Sequence, residues 1–116
     1  MRPESVKFLE DIIESGETIL EIAAGKSLDS YRAEKVTRLA VERCFEVIGE
    51  AMRRLADLDP GVAGQITDHA RIIAFRNVLI HGYSLIKHEL VLSVVENELP
   101  RLLREARELL PPPRAE

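Results

Sequence analysis

The segment RLAVERCFEVIGEA (residues 38–51) decides the fold that this sequence predicts. Its apolar side chains recur every three or four residues, which is the period of an α-helix, and the pattern extends from Tyr31 or Ala33 to Leu58. Two apolar flanks run along this helix: Val36, Leu39, Ala40, Cys44, Val47, Ile48, Ala51 and Leu55 form one, and Val41, Phe45 and Met52 form the other. A helix that is apolar on two flanks must contact more than one partner. The segment therefore predicts the central helix of a bundle, with a flank that can also serve as a dimer face.

Three more helical patterns surround the central one. They run from about Glu4 to Ala24, from Thr67 or Asp68 to about Ile80, and from about Lys87 to Leu110. No segment shows the alternation of apolar and polar residues that is typical of a strand. The sequence therefore predicts an all-α fold, a small helical bundle of four to five helices. Residues 1–110 are expected to form a single domain, and residues 111–116 a proline-rich, disordered tail.

Local signals mark where these helices begin and end. Asp29 or Ser30 is expected to cap the central helix. Gly25 and Gly82 suit positions just past a helix end, where the chain must turn. Pro100 lies inside the last pattern and lacks a backbone N–H, so a kink is predicted there.

Composition narrows the classes of function. The chain has 116 residues, and its formal net charge of −4 argues against an extended surface for nucleic acid, which is usually basic. No apolar run reaches the ~20 residues that a membrane span needs. The single cysteine, Cys44, cannot form an intramolecular disulfide and is expected to be a buried, unreactive thiol. These features predict a cytoplasmic protein that contacts any RNA locally, in a cleft.

The segment RNVLIHGY (residues 76–83) holds the residues best suited to chemistry. Arginine is a permanent, planar cation that can hold a phosphate with two parallel hydrogen bonds, and histidine can give and take a proton near neutral pH. On a continuous helix Arg76 and His81 would lie ~140° apart. The two side chains can meet if the imidazole swings back over the helix end, or if a symmetric dimer brings both copies into one cleft. Asn77 precedes His81 by four residues and shares its face, where it can orient the imidazole or contact a ligand.

These parts suffice for cleavage of RNA by its own 2′-hydroxyl. A base takes the 2′ proton, a cation stabilises the phosphoryl oxygens, and an acid protonates the leaving oxygen. His81 can act as base or acid, and Arg76 can hold the phosphate, whereas Glu50 lies on a helix face with Glu46 and Arg53 that can support this pair. On spacing alone the motif has low specificity. The ordinary alternative is a surface ion pair at Arg76 and a helix-terminal histidine at His81.

The motif and its context resemble the HEPN superfamily, and most closely its HepT-like toxins. The core motif is similar over IAFRNVLIHGY (residues 73–83), the second helix over residues 38–51, and the last helix at Glu98-Leu99-Pro100. The resemblance covers about residues 4–110. It implies a homodimeric helical bundle in which two copies of Arg76 and His81 meet at a cleft and act as a metal-independent ribonuclease toxin. It also implies a nucleotidyltransferase antitoxin as partner, which transfers AMP from ATP to Tyr83.

A second hypothesis requires no catalysis. The acidic balance, and the stretch Ser84-Leu85-Ile86-Lys87 where relatives often carry acidic residues, favour a dimer that binds RNA, nucleotide or a nucleotidyltransferase without cutting. His69 and His88 have no metal-ligating neighbours at i+3 or i+4, so no metal site is predicted. No glycine-rich phosphate loop is present, and no cofactor is expected.

Overall fold

The computed structural model describes residues 1–112, and at Tyr83 the backbone alone. Within this range the chain is helical and contains no strand, which confirms the predicted all-α fold. The α-helices are α1 (Pro3–Ala23), α2 (Leu28–Ala33), α3 (Lys35–Leu58), α4 (Pro60–Ala63), α5 (His69–His81), α6 (His88–Asn97) and α7 (Leu99–Leu109), and a 3₁₀ turn covers Tyr83–Leu85. No helix in the described range is long and apolar enough to cross a membrane.

Helix α3 is the centre of the bundle. It packs along its length against α1 and, on another side, against α5, while α7 closes the core against α1 and α6. The core contains Val41, Ile48, Met52 and Leu55 from α3, all of them buried. The other fully buried large side chains come from several elements: Leu9, Ile12, Ile19, Tyr31, Ile66, Val91, Leu99 and Leu103. The two-sided pattern of the central helix is thus explained by two partner helices on different sides.

The predicted central helix is divided in two near its beginning. Ser27, and neither Asp29 nor Ser30, caps the first part, because the Ser30 N–H donates to Ser27 Oγ (3.1 Å) and the Ser27 N–H donates to Ser30 Oγ (3.1 Å). This reciprocal pair starts the short helix α2 ahead of the predicted boundary. The backbone then leaves helical geometry at Glu34 (φ −102°, ψ 88°), whose carboxylate accepts a hydrogen bond from Lys26 (2.7 Å).

The predicted last helix is also divided, close to the expected kink. α6 ends at Asn97 and α7 begins at Leu99, with Pro100 in the first turn of α7. A proline in the first turn needs no N–H, since that group would have no intrahelical partner there. The break at Glu98 therefore accommodates Pro100 without loss of a hydrogen bond inside a helix.

One end of the predicted apolar flank on α3 is not covered by the residues that the structure describes. Val36 is 82% exposed and Leu39 is 54% exposed, whereas Ile48 and Leu55 further along the helix are buried. The predicted apolar flank is therefore buried only further along the helix, and its use as a dimer face stays a prediction. The N-terminal end of the flank remains as exposed apolar surface.

The remaining boundaries follow the glycines and prolines. Gly25 follows α1 in the left-handed region (φ 70°), as predicted for a residue past a helix end. The predicted loop after Leu58 contains the one-turn helix α4, which begins at Pro60. Pro111 and Pro112 follow α7 without helical structure, and residues 113–116 of the predicted tail lie outside the described residues. The single-domain assignment to residues 1–110 stays a prediction.

Candidate active site

Helix α5 carries the Arg-x4-His motif and is fixed to α3 by apolar contacts. Leu79 is buried, and Phe75 meets Phe45 of α3 edge to face, with 5.2 Å between ring centroids. The N-terminal end of α5 is held by Asp68, whose carboxylate lies 3.6 Å from a guanidinium nitrogen of Arg71 and 3.6 Å from one of Arg101 on α7. These contacts set the rotation of α5 and hence the direction in which each motif residue projects.

Arg76 lies directly against α3, at Gly49. A Cβ atom added to Gly49 would overlap Cβ and Cγ of Arg76, so only glycine leaves room for this approach. Because Gly49 is buried, no side chain separates the two helices at this level. Gly49, in the segment IGEA (residues 48–51), therefore allows Arg76 to lie directly against α3.

Glu50 holds the guanidinium of Arg76 in place. Its Oε2 lies 3.0 Å from Arg76 Nη2, and its Oε1 accepts hydrogen bonds from Arg53 Nη2 (2.6 Å) and Arg54 Nε (2.9 Å). Hydrogen bonds from Arg53 and Arg54 lower the pKa of Glu50 from its ordinary value of 4.5 to about 2, so the carboxylate stays ionised at neutral pH. Arg76 Nη1 also donates to Asn77 Oδ1 (2.9 Å). The structure thus brings together three of the predicted site residues, Arg76, Asn77 and Glu50.

His81 is not brought to Arg76 within one chain. α5 continues without a break from His69 to His81, so the five-residue step from Arg76 to His81 turns the helix by ~500° and leaves the two side chains ~140° apart. Gly82 ends the helix directly afterwards, and its N–H donates to the Val78 carbonyl (2.8 Å). The His81 side chain is exposed and makes no hydrogen bond or ion pair to the residues that the structure describes. Of the two predicted ways for the pair to meet, the swing of the imidazole over the helix end is not observed.

Arg76 lines a cleft of about 610 Å³ between α1, α3 and α5. Two of the arginines that line this cleft, Arg43 and Arg54, were not predicted from the sequence as site residues. Arg43 lies seven residues before Glu50 and Arg54 four residues after it, so all three project from one face of α3. This spacing is the sequence signal that could have identified the two arginines. The residues that line the cleft are Phe8, Asp11, Arg43, Glu46, Val47, Glu50, Ala51, Arg53, Arg54, Arg76 and Ile80.

The other sequence candidates lie elsewhere. Tyr83 follows Gly82 in the 3₁₀ turn, and its side chain lies outside the described part of the chain. Cys44 is half-buried on α3, and this burial raises the pKa of its thiol, which disfavours the reactive thiolate. Residues 1–112 contain no group of three or more histidine, cysteine and acidic side chains that could hold a metal ion.

A second polar cluster, away from the cleft, involves a histidine to which sequence analysis gave no function. His88 Nε2 lies 3.4 Å from Arg38 Nη1, and the His88 ring meets the Tyr31 ring edge to face, with 6.2 Å between centroids. Burial raises the pKa of Tyr31 to about 12. The cluster joins α2 and α6 to α3. Local spacing cannot reveal it, because its members come from three separate helices.

The fold and the cleft define a class of protein: an all-α bundle whose Arg-x4-His motif lies on a helix beside an arginine-lined cleft. Residues 12–109 match a family model described as "Ribonuclease HepT-like". The chain belongs to this HepT-like family, as the resemblance of its motifs predicted.

Individual relatives agree with this assignment. The chain is 31% identical to "Putative RNase MJ0127" of Methanocaldococcus jannaschii over 103 residues, which cover 89% of this chain and 84% of the relative. It is 29% identical to "Probable ribonuclease HepT" of Thermococcus cleftensis over 106 residues, which cover 88% of this chain and 92% of the relative. No solved structure matches the chain significantly.

The ion-pair cluster around Glu50 predicts a pH-dependent contribution to stability. Because the pKa of Glu50 is lowered in the folded protein, the contribution is fully present above about pH 4.5 and is lost as the pH falls toward 2. Glu50→Gln is therefore expected to lower the free energy of unfolding at pH 6, by about 1 kcal/mol for such a partly exposed cluster, and the difference from wild type is expected to shrink below pH 4.5.

Urea denaturation of both proteins across this pH range measures the difference. Glu108→Gln is the matched control, since Glu108 is an exposed glutamate on α7 with one arginine partner, Arg104, at 3.9 Å. A difference between wild type and Glu50→Gln that stays constant from pH 6 to about pH 2.5 would contradict the prediction.

Proposed function

We propose that this chain is a metal-independent endoribonuclease and the toxin of a toxin–antitoxin pair, acting in the cytoplasm. The observation that supports the proposal best is the fixed position of Arg76: Gly49 and Glu50 hold its guanidinium in an arginine-lined cleft, on the helix that also carries His81. Membership of the HepT-like family and the names of the relatives support a ribonuclease.

In the proposed reaction the RNA supplies its own nucleophile. One imidazole takes the proton of a 2′-hydroxyl, and the 2′-oxygen attacks the adjacent phosphorus. Arg76 stabilises the negative charge on the non-bridging oxygens as the bond to the 5′-oxygen breaks. A second imidazole, protonated, gives its proton to that leaving oxygen. The products are a 2′,3′-cyclic phosphate and a free 5′-hydroxyl, so no water is consumed.

This reaction needs a second chain, because each protomer supplies one copy of His81 and places it away from its own Arg76. We propose a homodimer that joins the outer sides of α5. Val78, 48% exposed, lies three residues before His81 and therefore on nearly the same side of the helix. The exposed Val36 and Leu39 on α3 offer further apolar surface. A two-fold interface that buries these residues and brings both copies of His81 beside a phosphate held by Arg76 would give the reaction both a base and an acid.

Loss of either motif residue is expected to abolish cleavage. Arg76→Ala and His81→Ala should each lower the rate of cleavage of a structured RNA, with EDTA present, by about 100-fold or more, since one loses the charge on the phosphate and the other the proton transfer. The measurement is an initial rate with unmodified protein of verified mass. His69→Ala is the matched control, because His69 lies on the same helix, at its opposite end. Equal cleavage by His81→Ala and wild type would contradict the proposal and indicate a contaminating nuclease.

We further propose that a nucleotidyltransferase antitoxin silences the enzyme by transfer of AMP to Tyr83. Tyr83 lies two residues after His81, so a bound nucleotide would add negative charge and bulk near the catalytic histidine. Incubation with the nucleotidyltransferase and ATP is expected to add AMP to wild type but not to Tyr83→Phe, and the modified protein should lose RNA cleavage. Mass spectrometry and the cleavage assay measure the two effects. Modification of Tyr83→Phe at the wild-type level would exclude this residue as the acceptor.

The alternative is a dimer that binds RNA, nucleotide or the nucleotidyltransferase without cutting. The net charge of −4 favours it, because an acidic chain lacks an extended basic surface for a long RNA strand. A stable complex with the nucleotidyltransferase, combined with no cleavage by a folded and unmodified dimer, would select this alternative.

A further inference from the structure

Arg54 differs from the other arginines around Glu50 in the donors it leaves free. A guanidinium has five N–H donors, and Arg54 uses only Nε, which donates to Glu50 Oε1 (2.9 Å). Within residues 1–112 its two terminal amino groups make no hydrogen bond or ion pair. The side chain is 59% exposed and lines the cleft. Arg54 therefore presents a free fork of donors to whatever enters the cleft.

Its neighbours have both terminal groups engaged. Arg53 donates from Nη2 to Glu50 (2.6 Å) and from Nη1 to Asp57 (3.3 Å). Arg76 uses Nη2 for Glu50 and Nη1 for Asn77. Glu50 thus orients Arg54 through Nε, and the described residues offer no hydrogen-bond acceptor to its terminal nitrogens.

The charge of the cluster also favours an anion. Three arginines share Glu50, and Asp57 neutralises one more charge, so the group keeps one net positive charge in a chain whose net charge is −4. The ligand that best fits a free guanidinium fork is a phosphate, which accepts two parallel hydrogen bonds.

The position of Arg54 relates this site to the motif arginine. Arg54 and Arg76 contact the same carboxylate, because Arg54 Nε donates to Glu50 Oε1 (2.9 Å) and Arg76 Nη2 lies 3.0 Å from Glu50 Oε2. The two guanidinium groups therefore lie next to one another in the cleft. A strand whose phosphate is held by Arg76 would therefore bring a neighbouring phosphate to Arg54.

We propose that Arg54 is a phosphate-binding residue for the RNA strand, next to the phosphate that Arg76 holds. The inference rests on the proposed ribonuclease function, because it places the strand in the cleft through Arg76. The site binds backbone phosphates without reading the bases, so its contribution does not depend on sequence and decreases with salt. A free nucleotide such as ATP offers the same phosphate chemistry, and the experiment separates the two sources.

The experiment measures binding without cleavage. A fluorescent 2′-O-methyl RNA oligonucleotide, which has no free 2′-hydroxyl to attack phosphorus, is titrated with wild type, Arg54→Gln and Arg104→Gln at several salt concentrations. Arg104 is the matched control, because it is 64% exposed, pairs with Glu108 at i+4, and lies on α7 away from the cleft. ATP binding by the three proteins is measured in parallel, and thermal melts check that each variant is folded.

Arg54→Gln is expected to weaken oligonucleotide binding by about tenfold and to reduce the salt slope by about one, whereas Arg104→Gln should stay within about twofold of wild type. Three results would overturn the inference: equal binding by the two variants, no binding of the strand by wild type, or loss of ATP binding alone in Arg54→Gln. Cleavage of unmodified RNA by wild type is measured in a separate assay. Strand binding through Arg54 without cleavage would refute the ribonuclease proposal and leave the phosphate site in place.

Discussion

The close approach of α5 to α3 at Gly49 is the constraint on which the candidate site depends. Without a side chain at Gly49, Arg76 lies against α3 and reaches Glu50, and the edge-to-face pair of Phe45 and Phe75 fixes the same two helices about one turn away along α3. Together these packing contacts determine the rotation of α5. That rotation places Arg76 in the cleft and leaves His81 on an exposed side of the helix.

The same constraint separates the two chemical functions within one chain. An arginine that faces the neighbouring helix can be held by ion pairs, which fixes the position of its charge before substrate arrives. A histidine on the outer side of the helix has no such support from the residues that the structure describes. The proposed homodimer resolves this separation, and it would also cover apolar side chains such as Val36, Leu39 and Val78, whose exposure costs a monomer solubility. Catalysis and assembly would then depend on the same surface.

Much of this architecture could be predicted from the sequence, because it depends on local patterns. Periodicity located the long helices, Gly25 and Gly82 marked helix ends, and the IGEA segment with the RNVLIHGY motif indicated the family. A supporting role for Glu50 was predicted from the helix face that it shares with Glu46 and Arg53, whereas its contact with Arg76 depends on the packing of α5 against α3.

Other features could not be predicted, because they depend on contacts distant in sequence or on a choice between equal local signals. Ser27, Asp29 and Ser30 are all good caps, and only the reciprocal pair of Ser27 and Ser30 decided between them. The exposure of Val36 depends on where the neighbouring helices α1 and α5 end. The apolar periodicity of α3 does not contain that information. The free donors of Arg54 depend on which oxygen of Glu50 each arginine contacts: Oε1 accepts from Arg53 and Arg54, and Oε2 lies beside Arg76.

The composite site is tested most directly by mixed dimers of wild type and His81→Ala. The two proteins are refolded together at several ratios and constant total concentration, so that subunits pair at random, and the initial rate of RNA cleavage is measured. If both copies of His81 are needed, only wild-type dimers are active, and the rate falls with the square of the wild-type fraction, to about one quarter in an equal mixture. A rate that falls in direct proportion to the wild-type fraction, to about one half, would show that each chain acts alone and would contradict the account.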